Sequence, residues 1–104
     1  MAKRPRSERR LRERALKRDV REREKLVGLA PGGAPDRPIP VETPSLIEGT
    51  ARSMPCHQCG GEVGVDEHAV DRREAELLRR VDTTCRRCHA RRTIWFRLAP
   101  RLVH

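Results

Sequence analysis

"MPCHQCGGEV", residues 54–63, and "TTCRRCHARR", residues 83–92, hold every cysteine of the chain, as the pairs Cys56/Cys59 and Cys85/Cys88. Two residues separate the members of each pair, and twenty-five residues lie between the pairs. So short a spacing lets a tight turn aim both sulfurs of a pair at one point. Gly60 and Gly61, directly after the first pair, allow the backbone to close around it. Two such pairs supply the four thiolates that a tetrahedral Zn²⁺ takes at about 2.3 Å each. The intervening residues suffice to run out and back as a hairpin. The spacing therefore predicts a closed zinc site with Cys56, Cys59, Cys85 and Cys88 as ligands and zinc as the cofactor.

Other uses of the cysteines fit less of the sequence. "CRRCH", Cys85 to His89, matches the pattern of covalent haem attachment. That chemistry needs export, the N-terminus has no apolar secretory stretch, and the first pair would go unused. A thioredoxin-like redox pair needs a βαβ context that this chain lacks. A catalytic zinc keeps one position open, whereas four thiolates fill the sphere. His57 and His89 are read as polar residues on the knuckle surface, since four cysteines already suffice. His68 and His104 belong to no constellation, and no Ser/His/Asp grouping, phosphate-cradling loop or helical HExxH motif is present. The expectation is a protein that is not an enzyme and has no small-molecule substrate.

The order "CHQCGG", hairpin, "CRRCHA", closing strand resembles the zinc-ribbon family over roughly residues 54–99. The resemblance implies two knuckles clamping a metal at one end of a three-stranded antiparallel sheet. The family's members range over ribosomal proteins, transcription factors and topoisomerases, so it implies architecture more than activity. The spacing also resembles the terminal ribbon of transcription-elongation factors, whose hairpin tip carries an adjacent Asp-Glu pair. Here the tip reads "DRREAE", with Ala75 between Glu74 and Glu76, and the adjacent Asp66 and Glu67 come too early in the hairpin. Cleavage stimulation is not expected on that pattern, although docking on transcription machinery is compatible with it.

Composition sets the remaining bounds. A chain of 104 residues with one Trp, one Phe, no Tyr and 38% charged residues cannot bury the core of an ordinary domain that size. Something besides apolar burial, here the metal, must stabilise it. Lys plus Arg number 24 against 15 Asp plus Glu, a formal charge of +9, and only Lys3, Lys17 and Lys25 are lysines. Guanidinium binds phosphate bidentately and stacks on bases, which suits nucleic acid. Codon bias from a GC-rich genome explains the same composition equally well. No segment reaches the apolar length of a membrane span, so no membrane partner is expected. Paired cysteines serving as metal ligands fit a cytoplasmic location.

Three regions follow from composition: a basic helical arm over 1–28, a Pro-rich linker over 29–53, and the zinc ribbon over 54–104. In the arm, Ser7 can cap a helix that stops at Gly28, and Glu8–Arg12, Glu13–Lys17 and Asp19–Arg23 can pair one turn apart. Leu11, Leu16, Val20 and Val27 form no broad apolar stripe, so the arm need not dock. The linker, with prolines at 35, 38, 40 and 44, reads as an extended spacer. "RPIPV" and "SLIE" offer a second reading, as patches lying on the ribbon. In the ribbon, "EVGV" suggests a short strand. "DRREAELLRR" opens on an Asp71–Glu74 capping box that favours helix locally, but a strand is predicted over about 77–84. "RRTIWFRL" is a clear strand, Ile94, Phe96 and Leu98 alternating with Thr93, Trp95 and Arg97. The fold class is thus a small metal-stabilised β ribbon with a helical arm, α+β overall.

The expected function is non-catalytic binding of RNA or DNA, as part of a ribonucleoprotein in one version. The candidate contacts are Arg9, Arg10 and Arg14 on the arm and Arg86, Arg87, Arg91 and Arg92 around the second knuckle, with Arg97 and Arg101 further along. Trp95 has two readings, a base-stacking ring or a cover for the second face of the sheet. The alternative function is a protein-interaction adaptor.

Overall fold

The computed structural model describes residues 6–100. Lys3, Arg101 and His104 lie outside them. The chain is α+β: helix α1 (Arg6–Leu29), strand β1 (Ile39–Val41), a 3₁₀ turn (Pro44–Leu46), helix α2 (Ile47–Arg52), then strands β2 (Val63–Arg73), β3 (Glu76–Cys85) and β4 (Arg91–Leu98). The sheet has four strands in the order β1-β4-β3-β2, not the three expected. The extra strand comes from the segment read as linker. Ile39 and Val41 pair in parallel with Phe96 and Leu98.

The residues between the two cysteine pairs run out and back as a hairpin, as the spacing predicts. β2 and β3 are antiparallel from Val63↔Cys85 to Arg73↔Glu76, closed by a turn at Glu74 and Ala75, with Glu74 at φ 47°. The Asp71–Glu74 capping box therefore does not start a helix. Cross-strand pairing on both sides outweighs a local preference worth about 1 kcal/mol. "EVGV" is the start of an eleven-residue strand rather than a short one. A bulge between Val65 and Glu67 puts Asp66 outside the register.

Residues 29–53 do not behave as a free spacer. Pro44 opens the 3₁₀ turn, and α2 presents Ile47 and Ala51, one turn apart, to the sheet. Both are fully buried, with Val41, Val81, Ile94 and Phe96, in the main core on one sheet face. The preceding loop is tied down as well. The Trp95 N–H donates to the Gly32 carbonyl at 2.8 Å, and the Ala99 N–H to Val41 at 2.7 Å. The prolines shape a docked connection, because Ile39, Val41 and Ile47 find the apolar face that the short ribbon leaves open.

α1 projects from this body. The Cα radius of gyration is 18.0 Å, against about 13 Å for a compact chain of this length. Ser7 lies inside the helix, which runs one residue past Gly28. The Arg37 guanidinium donates to the Gly28 carbonyl at 2.7 Å and so satisfies one of the free carbonyls at the helix end. Among the described residues no ion pair forms within α1, so Glu8–Arg12, Glu13–Lys17 and Asp19–Arg23 stay apart. Exposed long side chains lose more rotamer freedom than such a contact returns.

Candidate metal centre and basic surface

The two knuckles repeat one backbone pattern. The Cys56 carbonyl accepts from the Gly60 N–H at 2.8 Å, and the Cys85 carbonyl from the His89 N–H at 3.0 Å. The Cys56 N–H reaches the Gly61 carbonyl and the Cys85 N–H the Ala90 carbonyl, each at 2.9 Å. The fourth residue after each leading cysteine turns left-handed: Gly60 at φ 74° and His89 at φ 64°. Glycine adopts this without penalty, while His89 holds a strained conformation. At Gly61 the constraint is space. A Cβ there would lie 3.2 Å from the sulfurs of both Cys59 and Cys85. The Arg86 N–H donates to the Glu62 carbonyl at 2.9 Å and joins the knuckles.

These turns bring the four sulfurs within 4.8 Å of one another, a cluster that could hold a metal ion and is compatible with a zinc-ribbon-like site. Cys56 Sγ lies 3.6 Å from Cys88 Sγ, and Cys59 Sγ 3.5 Å from Cys85 Sγ. These are free thiols, too far apart for a disulfide. Backbone N–H groups of Gln58, Gly61 and Arg87 point at the sulfurs of Cys56, Cys59 and Cys85 at 3.3–3.4 Å. Such donors favour thiolate. The Cys88 N–H draws the Cys85 thiol down to about 6 against the opposing effect of burial, helped by the Arg87 N–H and the Cys59 and Cys56 thiols. Cys88 moves the other way, to about 12. The Ala90 N–H favours its thiolate, but burial and the thiols of Cys59, Cys56 and Cys85 oppose it more strongly together. Four thiolates this close repel one another, and a cation at their centre lets all four ionise. The donor set fits a metal.

The first knuckle also holds the arm, which the sequence did not reveal. His57 Nε2 and Glu24 Oε1 are 2.6 Å apart, and the Gln58 side-chain amide donates to Glu24 Oε1 at 3.0 Å and to the Val20 carbonyl at 3.1 Å. His57 is thus not a free surface residue, since its side chain is only 6% exposed. Burial opposes ionisation of Glu24, yet its hydrogen bonds to His57 and Gln58 outweigh this and hold its carboxyl below the ordinary value. The only sequence signal was position: His57 and Gln58 fill the two places between ligands, where the knuckle fixes them.

The expected nucleic-acid contacts divide into several groups. Arg86, Arg87 and Arg91 are exposed, Arg86 lying 3.8 Å from Glu62. Arg92 is half-buried, and its Nε is buried without a hydrogen-bond partner. Burial weakens its hold on the proton, while charge at Cys56 strengthens it. Arg91 and Arg92 share a cleft of about 230 Å³ with Glu24, Val27 and Gly28 of the arm. Arg97 lies 3.7 Å from Glu76. On α1, Arg10 and Arg14 share a face, and Arg9 is a third of a turn away from it.

Trp95 is not a stacking surface. It is 8% exposed, and the Arg73 guanidinium lies over its ring at 4.9 Å from the centroid. Trp95 and Leu78 are the buried apolar residues of the second sheet face, where Pro35 and Asp36 of the preceding loop share a cleft with Leu78 and Arg73. Asp66 and Glu67 are away from the hairpin tip and already engaged, Asp66 with the Thr84 hydroxyl and Glu67 with Arg80 at 3.7 Å. Comparisons with protein-family models, curated proteins and solved structures gave no match. Among the described residues no helix is long and apolar enough to cross a membrane.

Proposed function

We propose that the chain is a non-catalytic zinc protein that binds nucleic acid through α1 and the outward arginines of the second knuckle. Zinc is favoured because four thiolates in a tetrahedron with bonds of about 2.3 Å have edges of about 3.8 Å, close to two of the sulfur separations, 3.5 and 3.6 Å, with all four sulfurs within 4.8 Å of one another. A sphere filled by four protein sulfurs leaves no position for a substrate, which supports a structural role.

The observation that carries the nucleic-acid reading is the placement of charge on α1. The helix has ten Lys/Arg against five Asp/Glu, all exposed. At 100° per residue, Arg6, Arg10, Arg14, Lys17, Arg18, Arg21 and Lys25 fall within one arc of about 120°. Glu8 and Asp19 lie opposite, together with Arg12 and Arg23, while Glu13 and Glu22 flank the arc and Glu24, held by the first knuckle, falls at its edge. Seven of the ten cations gathered in one arc repel one another and gain from a polyanion beside them. The adaptor reading has one observation of its own. Val70 and Leu77, each 55% exposed, share a sheet face near the hairpin tip and would suit a protein surface, such as that of transcription machinery.

The test is metal analysis of the purified protein together with a salt titration of its binding to RNA and DNA. One zinc per chain and binding that weakens steeply with salt are expected. Metal well below one equivalent refutes the first half, and an interaction indifferent to salt passes the second to the adaptor reading.

A further inference from the structure

We infer that the polyanion is a B-form DNA duplex, with the free turns of α1 lying in its major groove and the cation stripe turned to the phosphates; this rests on the nucleic-acid reading above. Single-stranded recognition relies chiefly on exposed aromatic rings on which bases stack, with guanidinium planes as the lesser platform. The chain has two aromatic side chains of the Phe/Tyr/Trp kind, and both are consumed by the fold, Phe96 at 0% and Trp95 at 8% exposure. Among the described imidazoles only that of His89 is exposed, and one ring makes no platform. What remains on the surface is guanidinium, whose paired N–H donors match phosphate.

The shape of the arm selects among duplexes. Tethering to the ribbon begins at Val20 and Glu24, and among the described residues the preceding turns make no hydrogen bond or ion pair outside the helix. An α-helix about 10–12 Å across enters the roughly 12 Å wide major groove of B-form DNA, whereas the deep, narrow major groove of A-form RNA excludes it. In a groove the inward half of a helix sees phosphates on either flank, and the outward face sees water. Over the free turns Arg6, Arg10, Arg14, Lys17 and Arg18 form the inward stripe, while Glu8 and Asp19 lie on the far side with Arg9 and Arg12. Base discrimination should be slight. Apart from Arg and Lys, groove reading relies mainly on Asn and Gln. The chain has no Asn, and its single Gln, Gln58, is occupied by Val20 and Glu24.

The experiment is fluorescence anisotropy of the zinc-loaded full chain with labelled thirty-base-pair DNA, the matching RNA duplex and each single strand, over a range of salt. The DNA duplex should bind at least about tenfold tighter than the other forms, across unrelated sequences. R10Q/R14Q/R18Q, which keeps good helix formers, should flatten the logarithmic salt slope on duplex DNA by nearly three, at about 0.9 per lost phosphate contact. R12Q/R23Q, off the stripe, should change it by less than one, with circular dichroism confirming the helix in both. Salt-sensitive binding that favours RNA duplex or single strands overturns the inference and leaves the nucleic-acid reading standing. So does a slope that the stripe variant does not move. Salt-sensitive binding to none of the four probes removes both.

Discussion

Replacing Ile47 with Ala tests whether residues 29–53 belong to the folded body. Ile47 is 0% exposed and packs in the core with Val41, Ala51, Val81, Ile94 and Phe96. Truncating a side chain so enclosed removes transfer energy and leaves a cavity, at a cost of about 2–5 kcal/mol. Trp95, the sole tryptophan and buried, reports unfolding through its emission. Urea titration at a fixed excess of zinc keeps the metal's contribution constant. With a slope of about 1–1.5 kcal/mol per molar for a domain this small, a loss of about 3 kcal/mol lowers the midpoint by about 2–3 M. Leu46→Ala is the control, because Leu46 is 50% exposed and its loss should cost under about 0.5 kcal/mol. An Ile47→Ala midpoint no lower than that of Leu46→Ala would refute the docked arrangement and restore the plain spacer.

Three further outcomes follow from the first and second knuckles. His89→Gly should raise stability by about 0.5–1 kcal/mol, because the left-handed backbone there suits glycine, and Gly60→Ala should lower it by a similar amount; urea midpoints check both. Glu24 has its folded-state carboxyl held below the ordinary value, so its contribution to arm docking is present above the ordinary carboxylate range and lost as pH falls through the lowered value. The Gln58 side-chain amide resonance should report that titration, and Glu24→Gln should abolish it.

The cysteine cluster and the hairpin were legible because their signals are local. Two CxxC pairs name the four clustered cysteines outright, and the alternation of Ile94, Phe96 and Leu98 states a strand. Long-range partners leave no such trace. Ile39 meets Phe96 across fifty-seven positions, and α2, at six residues, is too short to show a helical period. Proline density favoured an extended reading, which was right for the backbone of β1 and silent on where it docks. The tether of His57 and Gln58 to Glu24 was equally hidden, since nothing in "CHQC" distinguishes a side chain held by a helix from one facing water. Arg73 over Trp95 depends on strand register, which no local pattern gives.

The scarcity of aromatic residues links these findings to the functional reading. A chain with one Trp and one Phe can place those rings in its core or on its surface, and here both close the two faces of the sheet. Even so the sheet needs more apolar cover than the hairpin supplies, and Val41, Ile47 and Ala51 of the docked segment provide it on one side. The metal centre would fasten the end of the sheet where no large apolar side chain is available, around Cys56, Val63 and Cys85. With the rings used for folding, the surface is left with arginine as its means of recognition. Arginine on an exposed helix holds phosphate well and reads unstacked bases poorly without aromatic partners, so the economy of the core itself argues for a duplex backbone over a single strand.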